Sequence, residues 1–170
     1  MLRYLDVQNI LDKNDLILQE SGCVGSENER GNTYMKKIGI VTDSHSSISQ
    51  EEAEKLGIFV LPMPFYIDGE CFYESVTLSR ELFFEKLAAG ADITTSQPSP
   101  TAVMEIWDKA LEQFEKILYM PISSGLSGSY ETAMMLAKDE AYEGRVLVVD
   151  DGQVAAPLHQ MVLDAMDMIE

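Results

Sequence analysis

Three short segments of the chain are rich in hydroxyl side chains. They are residues 42–47 (TDSHSS), 94–99 (TTSQPS) and 123–130 (SSGLSGSY). Two of them lead into the first turns of predicted helices, where free backbone N–H groups and the positive end of the helix dipole favour an anion. In a parallel sheet, ligands bind beyond the carboxyl ends of the strands, and we expect the three segments to meet there. Together they predict a site in which hydroxyls hold a small anionic head group.

The third segment comes close to the nucleophile elbow of serine hydrolases. That motif is G-x-S-x-G, whereas residues 125–129 read G-L-S-G-S, so Ser129 takes the place of the last glycine. A serine triad also needs a histidine, and His45 in the first segment could face the same site. An alternative hypothesis is therefore a serine esterase that uses Ser127 or Ser124 with His45.

The sequence contains no recognised motif for a nucleotide, and no metal site is indicated. Neither G-x-x-x-x-G-K-[ST] nor G-x-G-x-x-G occurs. The carboxylates of Asp43, Asp150 and Asp151 follow predicted strands, but no histidine or cysteine lies near them at ligand spacing. We expect Asp43 to orient its loop through local hydrogen bonds, and we expect no cofactor. A regulatory or phosphate-binding module, based on the helix N-termini alone, is a third hypothesis.

The elements that must position these segments follow an α/β pattern. Short β-branched runs alternate with longer helical periods, which predicts a mostly parallel four-stranded sheet flanked by helices. The predicted strands are 37–42, 58–66, 116–122 and 145–150, and the predicted helices lie between Ser49 and Gly57 and at about 78–89, 100–114, 127–141 and 153–169.

Two of these elements carry further signals. The two prolines in 58–66 favour an edge strand or a strand that ends early, and Asp68-Gly69 after it predicts a tight reversal. Helix 100–114 has the best pattern, with Ser99 as its cap and Pro100 in its first turn. Its core stripe is predicted to be Val103, Ile106, Trp107, Ala110, Leu111 and Phe114.

Length and charge limit the function further. The 170 residues suit one core, which we place at 35–170, and we interpret the aperiodic residues 1–34 as a flexible leader or extension. The formal net charge is -17, of which residues 1–34 carry three basic and six acidic side chains, which leaves -14 on 35–170. This repulsion argues against nucleic acid or an anionic membrane as the main partner. With two cysteines and no export signal or spanning apolar run, we expect a cytoplasmic protein.

Four stretches taken together resemble the DegV family of bacterial fatty-acid-binding proteins. They are IGIVTDSHSSIS (38–49), TTSQPSP (94–100), ISSGLSGSY (122–130) and VLVVDD (146–151), and they occur in the family's order between Met35 and the C-terminus. The resemblance implies a two-domain α/β protein that buries a long-chain fatty acid without catalysing a reaction. It also implies, for some members, a partner fatty acid kinase that phosphorylates the acyl group.

The resemblance also implies which residues contact the ligand. The threonine that opens TSQP and the second serine of SSxLSG contact the fatty-acid carboxylate in the family, and they correspond here to Thr95 and Ser124. Ser96, Ser127 and Ser44 are weaker candidates for the same polar end. The match departs from the family at residues 151–153 (DGQ), where a serine-containing turn is usual, and it covers only the family's first domain. We therefore expect a fragment that lacks the second domain.

Overall fold

The structure, a computed structural model, describes residues 36–73 and 76–169, and the predicted leader at 1–34 lies outside them. The strands are β1 (Lys36–Asp43), β2 (Phe59–Leu61), β3 (Pro64–Ile67), β4 (Glu70–Tyr73), β5 (Ile93–Thr95), β6 (Phe114–Met120) and β7 (Val146–Val148). The helices are α1 (Gln50–Leu56), α2 (Arg80–Ala88), α3 (Pro100–Leu111), α4 (Ser129–Leu136) and α5 (Ala156–Ile169), with a 3₁₀ turn at Ser44–Ser46.

The predicted parallel sheet is confirmed. Its four strands are ordered β2-β1-β6-β7, and every neighbouring pair is parallel. Helix α3 covers it with the part of the predicted stripe that runs from Val103 to Leu111. Within it, Trp107 is fully buried and contacts the ring of Tyr119 on β6 edge to face at 5.4 Å. The sheet with its helices therefore provides the rigid base from which the loops at its carboxyl edge project.

Tyr142 also packs against the Trp107 ring. The two ring centroids are 5.2 Å apart, and the Tyr142 hydroxyl donates a hydrogen bond of 2.9 Å to Asp108 Oδ1. The pKa of Tyr142 is raised to about 12; burial is the largest cause, and the hydrogen bond to Asp108 is the next. The fold thus favours the protonated phenol, which packs under α3.

A second, antiparallel sheet was not predicted. The prediction of a single strand over 58–66 is wrong, because this stretch forms two strands, β2 and β3, which belong to different sheets. Proline has no N–H to donate, so Pro62 and Pro64 interrupt the ladder, and β2 becomes the edge strand that they favour. Beyond them β3 pairs with β4 and with β5.

The predicted reversal at Asp68-Gly69 is confirmed as the turn between β3 and β4. Both residues have positive φ, at 50° and 83°, as the tight two-residue hairpin turn requires. The predicted loop 94–99, by contrast, begins inside β5, since Ile93–Thr95 pairs with β3.

Three helix boundaries also differ from the prediction. Helix α3 ends at Leu111, and Phe114 starts β6 instead of extending the helical stripe. Helix α4 ends at Leu136 rather than 141, because the chain then forms tighter turns such as the bond from the Asp139 N–H to the Leu136 carbonyl. Helix α5 starts at Ala156 rather than 153, and the remaining ends shift by a few residues.

The contact between β1 and β6 gives a stability prediction. A Cβ on Gly39 would lie 2.5 Å from a ring carbon of buried Phe114, which is closer than packing allows. Gly39→Ala should therefore lower the free energy of unfolding by about 1–3 kcal/mol in urea denaturation. Gly125→Ala is the matched control, because its Cβ would meet its nearest neighbour, Ser123 Oγ, at 3.5 Å. Equal midpoints for the two variants would contradict this packing.

Candidate ligand-binding site

A buried carboxylate joins the loops that follow β1 and β6. Asp43 is fully buried, and its Oδ2 accepts a hydrogen bond of 2.7 Å from the Ile122 N–H. Its Oδ1 accepts another, of 3.0 Å, from the His45 N–H. The expected role of Asp43 in orienting its loop is therefore confirmed. Burial, and then the negative charge of Asp43, raise the pKa of Tyr119, which keeps that phenol protonated in the core.

A second carboxylate joins the loops after β6 and β7. Ser124 donates its hydroxyl to Asp150 Oδ2 at 2.5 Å and its backbone N–H to Oδ1 at 3.3 Å. The Gly152 N–H donates to the same Oδ1 at 2.9 Å. The DGQ stretch, where the sequence departs from the family pattern, thus forms a turn that is tied to Ser124 through Asp150.

The side chain of Gln97 brings the TTSQPS segment to the SSGLSGSY segment. Its Oε1 accepts a hydrogen bond of 3.4 Å from Thr132 on α4, and it lies so close to Gly128 that a Cβ there would be 3.0 Å away. Together with Asp43, this contact brings the three hydroxyl-rich segments next to one another, as the sequence predicts, although Thr94 and Thr95 belong to the second sheet.

A cavity of about 280 Å³ opens beside β3, β5 and α2. This volume is near the lower end of about 300–1,000 Å³ for ligand pockets. Apolar side chains form most of its wall, with the Phe83 and Phe65 rings packed edge to face at 5.6 Å. Its lining residues are Ser44, His45, Met63, Pro64, Phe65, Leu78, Ser79, Phe83, Phe84, Ile93 and Thr95. The cavity suits an apolar chain with a polar group at one wall.

Two of the five predicted ligand residues line this cavity, namely Thr95 and Ser44. Ser96 is exposed and donates its hydroxyl to the Gln97 carbonyl, and Ser127 shares a hydrogen bond of 2.8 Å with the Ser129 hydroxyl. Ser124 bonds to Asp150 and is likewise outside the lining. The structure thus brings Thr95 and Ser44 to one cavity and places the other three serines along the neighbouring loops.

The apolar wall was missed at the sequence level. Phe65 is on β3 and Ile93 is on β5, whereas Leu78 lies just before α2 and Phe83 lies in it. The Asp68-Gly69 turn was the available signal, because a tight turn between two β-rich runs indicates a hairpin, and a hairpin provides a second sheet.

The esterase alternative is not favoured by this geometry. A nucleophilic serine donates its proton to a general base, usually the imidazole of a histidine. Ser124 instead donates its hydroxyl to the carboxylate of Asp150, and Ser127 is bonded to another serine hydroxyl. The imidazole of His45, which would have to be the general base, lies 3.4 Å from Asp43 Oδ1. Neither the Ser124 nor the Ser127 hydroxyl is hydrogen-bonded to it.

A wider groove follows the edge strand β2, with a volume of about 450 Å³. We call it the edge groove. It includes the charged residues Glu54, Glu105 and Lys109, and no member of the three hydroxyl-rich segments lines it. Across residues 36–73 and 76–169, no cluster of three or more His, Cys, Asp or Glu side chains could hold a metal ion. Within the same residues no helix has the length and hydropathy needed to span a membrane.

Comparison with known families gives a match over most of the chain. Residues 37–170 match the family described as "Uncharacterised protein, DegV family". A DegV domain-containing protein of Caldanaerobacter subterraneus is 34% identical over 134 residues, which are 79% of this chain and 48% of that protein. A DegV domain-containing 15.5 kDa protein of Staphylococcus aureus is 28% identical over 135 residues, which cover 95% of it.

Comparison with solved structures gives the same family. A structure described as the fatty acid binding of a DegV family protein from Thermus thermophilus has a TM-score of 0.71 and 33% identity. It matches 78% of this chain and 47% of that protein. The chain thus spans about half the length of the Caldanaerobacter and Thermus relatives that it matches.

The link made by Asp43 can be tested with an isosteric change. Asp43→Asn replaces one acceptor oxygen by an amide that cannot accept, so either the Ile122 or the His45 N–H loses its bond. An unsatisfied buried donor costs about 1–3 kcal/mol, and the free energy of unfolding should fall by that amount in urea denaturation. Asp167→Asn, at an exposed position on α5, is the control and should change it by less than about 0.5 kcal/mol. Equal effects would refute a structural role for the Asp43 carboxylate.

Proposed function

The chain belongs to the DegV family, and we propose that it binds a long-chain fatty acid, with the acyl chain in the cavity beside α2 and the carboxylate at Thr95. The observation that carries this proposal is the cavity itself, which combines an apolar wall with hydroxyls from two predicted ligand residues. The Thermus relative, described as binding fatty acid, supports the same ligand class.

Apolar burial supplies most of the affinity in this proposal. Each methylene removed from water contributes about 0.8 kcal/mol, so a chain of several methylenes against Phe65, Phe83 and Ile93 outweighs any single hydrogen bond. The cavity is small for a whole long-chain acid, and the chain covers only about half of its longer relatives. We therefore propose that the described cavity holds the part of the acyl chain next to the carboxylate.

The hydroxyls of Thr95 and Ser44 hold the head group in this proposal. Thr95 lines the cavity on β5, and its hydroxyl can donate a hydrogen bond to a ligand there. Ser44 accepts a hydrogen bond of 3.1 Å from the Met63 N–H, and its own O–H remains a donor. Ser124, Ser96 and Ser127 remain candidates from the family resemblance, and Ser124 would have to leave Asp150 to contact the carboxylate.

We also propose that the protein is a non-catalytic cytoplasmic carrier without a cofactor and that it presents the bound acid to a fatty acid kinase. The formal net charge of -17 supports a protein partner with a basic surface, because opposite charges speed the encounter. The kinase would form the acyl phosphate, which hydroxylamine converts to a hydroxamate. With ATP and fatty acid, the chain alone should give no hydroxamate, and addition of the kinase should give it. Hydroxamate from the chain alone would contradict the non-catalytic role.

The contact at Thr95 gives the main binding prediction. Thr95→Val keeps the shape of the side chain and removes its hydroxyl, so the dissociation constant for palmitate should rise about tenfold, as for the loss of a hydrogen bond to a charged group. Thr94→Val is the matched control, because successive residues on a strand face opposite sides and Thr94 does not line the cavity. Its dissociation constant should remain within about twofold of the unmodified value.

Displacement of a fluorescent fatty acid measures both constants. An unchanged affinity in Thr95→Val would contradict the head-group assignment, and an equal loss in both variants would point to an indirect effect of the strand.

A further inference from the structure

The wall of the cavity next to Thr95 is aromatic. Phe65 on β3 is the residue directly opposite Thr95 on β5, and both residues line the cavity. Residues opposite each other in an antiparallel pair lie on the same face of the sheet, with their Cβ atoms about 4.5–5.5 Å apart. The Phe65 ring therefore borders the position that the proposed function gives to the head group.

Hydrogen bonds hold β3 and β5 in this register at both ends. At one end the Ser96 N–H donates to the Pro64 carbonyl at 3.4 Å. At the other end the Asp68 N–H donates to the Asp92 carbonyl at 2.8 Å, and the Asp92 N–H donates to Asp68 Oδ1 at 2.9 Å. These bonds fix which residues of the two strands lie opposite each other.

Phe83 of α2 packs against the Phe65 ring. The two ring centroids are 5.6 Å apart and the ring planes meet at 82°, which is an edge-to-face contact. Both rings are partly buried and both line the cavity. Phe72, the residue opposite Phe65 on β4, also contacts the Phe65 ring, at 6.0 Å, but it does not line the cavity. Contacts with two other rings leave the Phe65 ring little room to turn away from a ligand.

This aromatic wall limits what the first carbons of an acyl chain can carry. A hydrogen bond from the Thr95 hydroxyl to a carboxylate oxygen is about 2.7 Å long, and the second and third carbons of the acid follow directly. In the proposed site these carbons therefore lie against the Phe65 ring. Well-packed walls accept an unbranched methylene, whereas added methyl groups overpack them.

We propose that Phe65, held in place by Phe83, is a specificity residue that restricts the site to fatty acids with no branch next to the carboxylate. This assignment rests on the proposed function, since it requires the carboxylate to lie at Thr95. It names a ligand class within that function, because the apolar wall as a whole recognises the chain and the Phe65 ring recognises its first carbons.

Binding of palmitate and of 2,2-dimethylpalmitate to the full chain tests this role. The two acids share one chain length and one charge, and they differ in two methyl groups beside the carboxylate. In displacement of a fluorescent fatty acid, the unmodified protein should bind the dimethyl acid about tenfold more weakly than palmitate. Phe65→Leu removes the ring beside Thr95, so the ratio of the two dissociation constants should fall to about threefold or less.

Two further variants complete the test. Phe72→Leu removes a ring that contacts Phe65 from outside the cavity, so it is the matched control and should keep the ratio of the unmodified protein. Phe83→Leu removes the ring that holds Phe65 from α2, and it should lower the ratio as well. Palmitate binding shows that a variant is folded, and Phe83→Leu decides the question if Phe65→Leu does not bind palmitate.

The outcomes separate this inference from the proposed function. If the unmodified chain binds both acids equally, the fatty-acid site stands and the selection against branching is overturned. If the unmodified chain discriminates but Phe65→Leu and Phe83→Leu keep the full ratio, the role of Phe65 is overturned. An equal fall of the ratio in Phe72→Leu would assign the effect to packing of the hairpin and would also overturn that role. If the unmodified chain binds neither acid, the proposed function fails and this inference fails with it.

Discussion

The buried carboxylate of Asp43 is the constraint on which the site depends. It accepts hydrogen bonds from the loops after β1 and β6, and it lies beside the imidazole of His45. Leaving a buried carboxylate without partners would be costly, so the fold holds the two loops in the one arrangement that satisfies it. One side chain thus fixes the relative positions of the first and third hydroxyl-rich segments.

The cavity exists because the chain leaves the parallel sheet after β2. Pro62 and Pro64 end that ladder, and the chain continues into the antiparallel sheet, which contributes Phe65 and Thr95 to the wall. The parallel sheet contributes Ser44 and His45 from the turn after β1. The two hydroxyls that hold the head group in this account, those of Thr95 and Ser44, therefore come from different sheets. The antiparallel sheet also contributes Phe65 and Ile93 to the apolar wall that holds the acyl chain.

The parallel sheet was predictable from the sequence because its strands are short β-branched runs between helices with regular periods. Ser49 and Ser99 cap their helices as their positions predict. The second sheet was not predictable in the same way, since β3 and β5 pair across a long sequence separation and β5 has only three residues. Thr95 and Ser44 were identified from the family resemblance. The Asp68-Gly69 turn indicates the hairpin that carries Phe65, but no local pattern encodes the pairing of β3 with β5 that places Phe65 opposite Thr95.

The central claim is that a long-chain fatty acid occupies the cavity beside α2. Photo-crosslinking tests it most directly, with a fatty acid that carries a diazirine near its carboxylate and with mass spectrometry of the labelled peptides. The account predicts labelling of the peptides that contain Phe65 or Phe83, competed by unlabelled palmitate. Labelling confined to the edge groove along β2, or labelling that palmitate does not reduce, would contradict it.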